Sequence, residues 1–498
     1  MSISEPAEAA DAPDAPDTPD TPDAPDTIPA EVKHPIAFRG PYADGPAPAA
    51  LEVDAPPLSA FGLREVRHMV EIYLVFVLVL VRTLARLVVR RGRSWPTELS
   101  EGLVQAFELL GPTFVKLGQL IASSPGLFPR PLADACLRFL DEVPPFPAET
   151  ARRIVCEDLG RPVGQIFKSF EDTPLSAASI AQVHACVLLD GRQAVVKVQR
   201  PDIKARMNRD LRIMYRIAKL LMRTKAGRLA NTQGVIEDLH AVTNQELNSA
   251  LEAYRQSKFR DNIPAFGDNK WVTAPEVYWD YCGPRVVAME RMYGTPLDNF
   301  HEVERRGIDG ELMLRRGVKV WMEAALCHGP FHGDVHAGNL WLLEDDRAAY
   351  LDFGIMGDLP VEYREALSDA IYTVMIDNDF TRIVRAWKRL GIVPESIGSD
   401  EVIAEQVKLV MEPLLNLTIG QVSLGELMKQ QLEMAEQFGA QSPKELALVT
   451  KQLMYFERYA KVLAPDYVMI RDIFLVQNLF PEAVAKKAEE EGITLPAA

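Results

Sequence analysis

The order of apolar and polar positions divides the chain into stretches of different period. Ile72–Val81 is an unbroken apolar run of ten residues, followed at once by Arg82, Arg86, Arg90, Arg91 and Arg93. Ten residues fall short of the roughly 18 needed to cross a bilayer, so residues 61–94 predict a basic amphipathic helix. From Trp95 to about Arg161 the period is helical, with breaks at Gly111-Pro112 and at the proline-rich points 129–131 and 144–147. Beyond Pro174 the pattern becomes strand-like. Val183–Asp190 and Gln193–Val198 flank Asp190-Gly191, a hairpin signature. Helical periodicity returns over 203–263, then a short strand is expected at Val286–Met289. From about Leu312 the chain is mainly helical, interrupted by short apolar runs at Leu340–Leu343 and Ala348–Leu351. This order predicts an α+β, bilobal fold with a cleft between its lobes. A helical extension over 95–165 precedes a smaller lobe at 166–290 and a larger, mainly α lobe at 291–498.

Charge changes this picture at two places. Residues 1–60 hold twelve acidic residues against Lys33 and Arg39, so most of the net charge of -16 sits in this tail. Its segment 11–27 repeats Asp every third position with interleaved Pro. Proline blocks regular pairing and the carboxylates repel, so the tail is expected to be disordered and extended. Residues 61–95 carry seven Arg against Glu65 and Glu71. Apolar area joined to arginine suits an anionic membrane surface, and packing on the protein's own body is the other reading of the same helix. No basic excess exists to neutralise phosphates, which excludes a nucleic-acid partner. The five cysteines are scattered, without C-x-x-C spacing, as in a reducing compartment. No signal-peptide or transit-peptide pattern opens the chain. It is expected in the cytoplasm, peripheral to the inner face of the cell membrane if the Arg-rich helix lies on lipid.

The chemistry concentrates in His332-Gly333-Asp334-Val335-His336-Ala337-Gly338-Asn339, followed by Asp352-Phe353-Gly354. Phosphoryl transfer needs a carboxylate to orient the attacking hydroxyl and oxygen ligands to hold Mg²⁺ on the phosphates. Asp334 and Asn339 have the five-residue spacing of the protein-kinase catalytic loop. A hairpin around Glu344–Arg347 would return Asp352 beside Asn339. Asp334 is therefore the candidate catalytic carboxylate, and Asn339 and Asp352 the candidate metal ligands. Upstream, Val195-Val196-Lys197-Val198 supplies the strand lysine that engages nucleotide phosphates. Ser176-Ala177-Ala178-Ser179-Ile180-Ala181 stands where a glycine-rich phosphate loop is expected. Alanine resists positive φ and adds a Cβ where phosphate would approach the backbone, so this loop should be stiffer than its glycine counterpart.

Together with Phe114-Val115-Lys116-Leu117-Gly118-Gln119, a K-x-G-Q motif, and Glu246-Leu247-Asn248 in an E-x-D position, these segments closely resemble the UbiB/AarF family of atypical kinases. The resemblance covers about residues 95–360. It implies a protein-kinase-like fold binding ATP and Mg²⁺, with the K-x-G-Q helix lying over the substrate side and Lys116, Gln119 and Glu246 in a regulatory role. It also implies a part in isoprenoid lipid or quinone biosynthesis at membranes, by ATPase or small-molecule kinase activity. Glu252 is favoured as the partner of Lys197, leaving Glu246 to face Lys116; both are placed on one helix. Adenine is expected against the backbone at Met289, Glu290 and Arg291. Asn248 replaces the aspartate of E-x-D, Arg255 a usual asparagine, and Ala337 a proline. Gly333 replaces the arginine of H-R-D, and only Ile355–Pro360 separates Gly354 from the next helical stretch, so no long activation segment is expected. His336 is expected to orient the loop. An aminoglycoside- or choline-kinase-like phosphotransferase and a non-catalytic nucleotide-binding scaffold are the alternatives. The oligomeric state is left open.

Overall fold

Asp190 and Gly191 close the predicted hairpin because Gly191 adopts a φ of 92°, which costs glycine nothing. The computed structural model describes residues 38–60, 62–89, 94–122, 128–140, 144–229, 231–394, 396, 398–412, 415–421, 423 and 444–497. The acidic repeat at 11–27 and Arg90, Arg91 and Arg93 lie outside these residues.

The smaller lobe is built on an antiparallel sheet. Its strands are β1 (Phe167–Phe170), β2 (Ser176–Ala177), β3 (Ala181–Leu188), β4 (Gln193–Gln199) and β6 (Val286–Glu290), in the order β1-β3-β4-β6 with β2 also on β3. The register places Lys197 opposite Val183 on β3 and Val287 on β6. Helix α4 (Ala148–Leu159) packs on this sheet, burying Ile154, Val155 and Leu159 with Leu188, Val196 and Ala288.

The larger lobe is mainly helical, with a second sheet of β5 (Val272–Thr273), β7 (Gly294–Pro296), β9 (Leu340–Leu343) and β10 (Ala348–Tyr350) in the order β5-β10-β9-β7. Strands β9 and β10 form the expected antiparallel pair, and β8 (Phe331–His332) pairs with β11 (Met356–Gly357). Helix α8 (Gly310–Glu323) runs through the core of this lobe. It carries a fully buried ion pair, Lys319 to Glu323 at 3.2 Å. Asn269 and Asn478 donate amides to the Glu323 carboxylate at 2.7 and 2.9 Å, so the buried charge is solvated by protein.

Three extension helices, α1 (Leu63–Val89), α2 (Trp95–Leu110) and α3 (Pro112–Ala122), share a core with α5 (Ile203–Leu221) and α6 (Thr232–Glu246) of the small lobe. Gly111, with a φ of 94°, separates α2 from α3 at the predicted break. Buried Asp210 on α5 ties two of them, accepting from Thr113 at 2.5 Å and bonding His68 at 2.6 Å. Gly118 lets α3 lie against the Phe139 ring, because a Cβ there would stand 2.2 Å from it. Gly118→Ala is expected to cost roughly 1–3 kcal/mol by overpacking, read as a lower denaturation midpoint in chemical unfolding.

Candidate active site

Lys197 projects from the middle of β4 into the cleft and donates to Glu252 Oε1 at 2.5 Å. Its Nζ also stands 3.5 Å from Asp352 Oδ1, so one ammonium joins strand, helix and the segment after β10. Burial disfavours the Lys197 ammonium, but Asp352 and Glu252 more than offset this and raise its pKa. Burial likewise opposes charge on Asp352, yet Lys197 and the Gly354 N–H pull its carboxyl down to about 2. Glu252 is pushed up to about 7, because its burial outweighs the attraction of Lys197. Asp352 holds a left-handed φ of 56°, an uncommon backbone for a non-glycine residue and one that recurs at functional sites. Phe353 anchors it, fully buried with its ring 5.3 Å from Phe259 and 5.2 Å from His332.

The expectation that Glu246 and Glu252 share one helix is corrected. Glu246 ends α6, and Glu252 lies in the first turn of α7 (Ser249–Phe266). Asn248 makes the break: its Oδ1 caps α7 at Leu251 N, 3.0 Å away. Its Nδ2 donates to the carbonyls of Ala50 and Glu52 at 2.9 and 3.1 Å. An aspartate has no N–H to give to those carbonyls, which accounts for the amide at this position. The helix break turns Glu246 toward Lys116, with which it pairs, while Glu252 faces Lys197. Glu246 Oε1 is buried without a hydrogen-bond partner among the described residues. Arg255 reaches the Gly354 carbonyl at 3.4 Å. Gln119, in contrast, donates to the Phe139 carbonyl at 2.8 Å, bracing α3 internally instead of acting in the cleft.

The catalytic-loop residues follow β8. His332 bonds the Leu351 carbonyl through Nε2 at 2.9 Å and accepts from Asp334 N through Nδ1, so both ring nitrogens serve the loop. His336 Nδ1 accepts from Gly338 N at 3.1 Å, and its Nε2 lies 3.2 Å from Asn339 Nδ2. A side chain at Gly333 would meet Ile355 Cγ2 at 3.0 Å, so the loop packs where an arginine would otherwise stand. Asn339 donates its amide to the Asp334 carbonyl at 2.9 Å, which directs its Oδ1 away from that bond. Asn339 and Asp352 thus offer hard oxygen donors, the donor type Mg²⁺ prefers, and two such protein ligands plus phosphate oxygens suit its usual coordination. Burial raises the cost of charge on Asp334, but Lys451 and His336 hold its carboxyl below the ordinary range.

The alanine-containing loop is made without positive φ. Ala178 N donates to the Ala181 carbonyl at 2.8 Å, and Arg200 donates through Nε to the Ala178 carbonyl at 2.9 Å. Ser179 is buried, and Ile180 and Ala181 pack with Ile203, Met207 and Leu247. Their side chains therefore fasten the loop to α5, leaving Ser176 and Ala178 exposed as its outer part, with Ala177 buried between them. At the expected adenine edge, Met289 pairs with Val195 in the sheet, Glu290 N donates to the Glu276 carbonyl at 2.8 Å, and the Glu290 carboxylate bonds Arg260 at 2.9 Å. Arg291 stacks over Tyr293.

One contact of the site comes from far along the chain. Beyond α9 (Val361–Tyr372), α10 (Thr381–Arg389) and α11 (Asp400–Met411), helix α12 (Lys444–Leu463) brings Lys451 to Asp334 Oδ1 at 2.8 Å. Its only sequence signal is Gln452, a polar residue on the buried stripe of Val449, Phe456 and Tyr459.

The sequence model of the ABC1 atypical kinase-like domain matches residues 138–387, and that of the UbiB helical domain matches 407–468. An uncharacterised protein of Mycobacterium tuberculosis is 35% identical over 393 residues, covering 78% of this chain and 80% of its own. A protein called probable protein kinase UbiB in Pseudomonas putida is 33% identical, covering 74% and 69%. An aarF domain-containing protein kinase of Arabidopsis thaliana chloroplasts is 31% identical, covering 76% and 75%. A solved Mycobacterium tuberculosis protein in complex with erythromycin aligns at 24% identity with a TM-score of 0.43, covering 72% of this chain and 94% of that one.

Proposed function

The chain belongs to the UbiB/AarF family of atypical kinases, and we propose that it binds Mg-ATP and transfers the terminal phosphoryl group to water or a small acceptor at a membrane surface. The observation that carries this reading is the convergence of Lys197 and Glu252 on Asp352, whose neighbour Leu351 is hydrogen-bonded to both Asn339 and His332 of the catalytic loop. Mg²⁺, held by Asn339 and Asp352, would neutralise charge developing on the phosphates. Lys197 supplies a fixed cation for the nucleotide, and Glu252 keeps that cation aimed. Asp334 accepts the proton of the attacking hydroxyl as the bond to phosphorus forms. Helix α3, with Lys116 fastened to Glu246, restricts the approach of large acceptors. This favours a small molecule, and the family points to an isoprenoid lipid or quinone precursor. Titrating ATP into the full chain with and without Mg²⁺ tests the reading. Metal-dependent binding supports it, and no binding under either condition removes it.

The membrane part rests on α1. Among the described residues no helix is long and apolar enough to cross a membrane. Yet α1 is apolar on two sides. Ile72, Val79 and Thr83 are buried against the body, while Tyr73, Leu74, Val77, Leu78, Val81 and Leu84 are exposed, Tyr73 by 65%. At 100° per residue these exposed side chains form one stripe, with the exposed Arg82 along its edge and the Arg67–Glu71 ion pair beyond its N-terminal end. An apolar stripe with an arginine border suits the interface of an anionic bilayer. Leu74→Ser with Val81→Ser is expected to weaken sedimentation with phosphatidylglycerol vesicles at least tenfold, because each apolar side chain withdrawn from water contributes about 1.5–3 kcal/mol. Equal sedimentation of variant and parent would leave α1 as a packing element only.

A further inference from the structure

Helix α12 reaches the catalytic loop from more than a hundred residues away in sequence and grips it at four points. Gln452 Oε1 accepts from Val335 N at 2.7 Å, and Gln452 Nε2 donates to the Gly333 carbonyl at 2.7 Å. Tyr459 donates its hydroxyl to the Val335 carbonyl at 3.0 Å. The peptide groups on both sides of Asp334 are thereby fixed to one helix. The fourth point is the side chain itself, Lys451 Nζ to Asp334 Oδ1 at 2.8 Å.

We propose that Lys451 is a positioning residue for phosphoryl transfer, holding the Asp334 carboxylate in its reactive orientation from the C-terminal helix. This rests on the reading of Asp334 as the proton acceptor. A carboxylate on a two-bond side chain has free rotamers unless something fixes them, and a misplacement of about 1 Å in a reacting group costs on the order of 100-fold in rate. Within the loop, the nearest cationic candidate is His336, whose Nε2 lies 3.6 Å from Asp334 Oδ2, too far to fix it by a hydrogen bond. Lys451 occupies Oδ1, so Oδ2 is the oxygen left to face an incoming hydroxyl. The ammonium stays charged, since Asp334 more than offsets its burial and raises its pKa. Among the described residues, three lysines from separate parts of the chain then each hold a carboxylate: Lys116 on Glu246, Lys197 on Glu252 and Lys451 on Asp334. The helical segment after the kinase-like domain is on this account part of the catalytic apparatus, and its removal would leave Asp334 unheld.

The test is steady-state ATP turnover by the full chain carrying Lys451→Met, Lys451→Ala or Lys451→Arg. Lys451→Met should lower kcat about 10- to 100-fold while the KM for Mg-ATP stays within about twofold and the melting temperature holds. Lys451→Arg should regain much of the rate, and ethylammonium added to Lys451→Ala should raise its turnover in a saturable way. A purely structural lysine would show none of this selectivity for kcat. Parent-like turnover by Lys451→Met overturns the proposal, as does a loss that tracks a fallen melting temperature and is indifferent to arginine and amine. Asp334→Asn separates the two layers. If it is inactive while Lys451→Met is normal, only the role of Lys451 fails; if Asp334→Asn turns over normally, the proton-acceptor reading fails first.

Discussion

Asp334→Asn is expected to abolish turnover while sparing nucleotide binding. The amide keeps the shape of the carboxylate and can still accept from Lys451 through its oxygen, so the loop should hold. What it loses is the capacity to take a proton from the attacking hydroxyl, a function that contributes about 10²–10⁴-fold. Binding should change little, because the cation proposed to face the phosphates is Lys197, which is held by Glu252 and Asp352 and not by Asp334. Measuring kcat and the Mg-ATP affinity on the same preparation checks both halves. A variant that loses affinity and rate together would move Asp334 from the chemical step to the binding site.

Asp352→Asn should produce the opposite pattern, a binding defect. Its carboxylate is fully charged at neutral pH, pulled down to about 2 by Lys197 and the Gly354 N–H against the cost of burial. Neutralising it removes an anionic oxygen from the metal position and also one of the two counterions of Lys197. Losing several kcal/mol of metal electrostatics corresponds to about 100-fold or more in affinity. The defect should appear with Mg²⁺ present and largely vanish in its absence, since Lys197 keeps Glu252 as its close counterion and the larger loss runs through the metal. Calorimetric titration under both conditions reads it. Equal Mg-ATP affinity in variant and parent would remove Asp352 from the metal site.

Much of this arrangement was visible in the chain. Asp190-Gly191 announced the β3–β4 hairpin because its backbone requirement is local, and the spacing of Asp334, Asn339 and Asp352 announced the loop because the spacing itself is the geometry. The separation of Glu246 from Glu252 was hidden by two helices with almost no gap between them. Only the cap made by Asn248, whose amide also reaches Ala50 and Glu52, breaks the run. The family resemblance gave Gln119 a regulatory role with Lys116, and only the tertiary structure brings the Phe139 carbonyl to its amide. Ile180 and Ala181 were grouped with the phosphate loop by position alone, whereas their burial with Met207 makes them its anchor. Lys451 was out of reach of any local pattern, because what gives it meaning is a tertiary contact with Asp334.

The most direct measurement is Mg²⁺-dependent release of labelled phosphate from γ-labelled ATP by the purified full chain, beside Asp334→Asn prepared identically. The account predicts steady release by the parent, abolished by chelation of Mg²⁺ and at least about 100-fold lower in the variant. Release that is the same in both chains, or absent from a parent that still binds Mg-ATP, would contradict it.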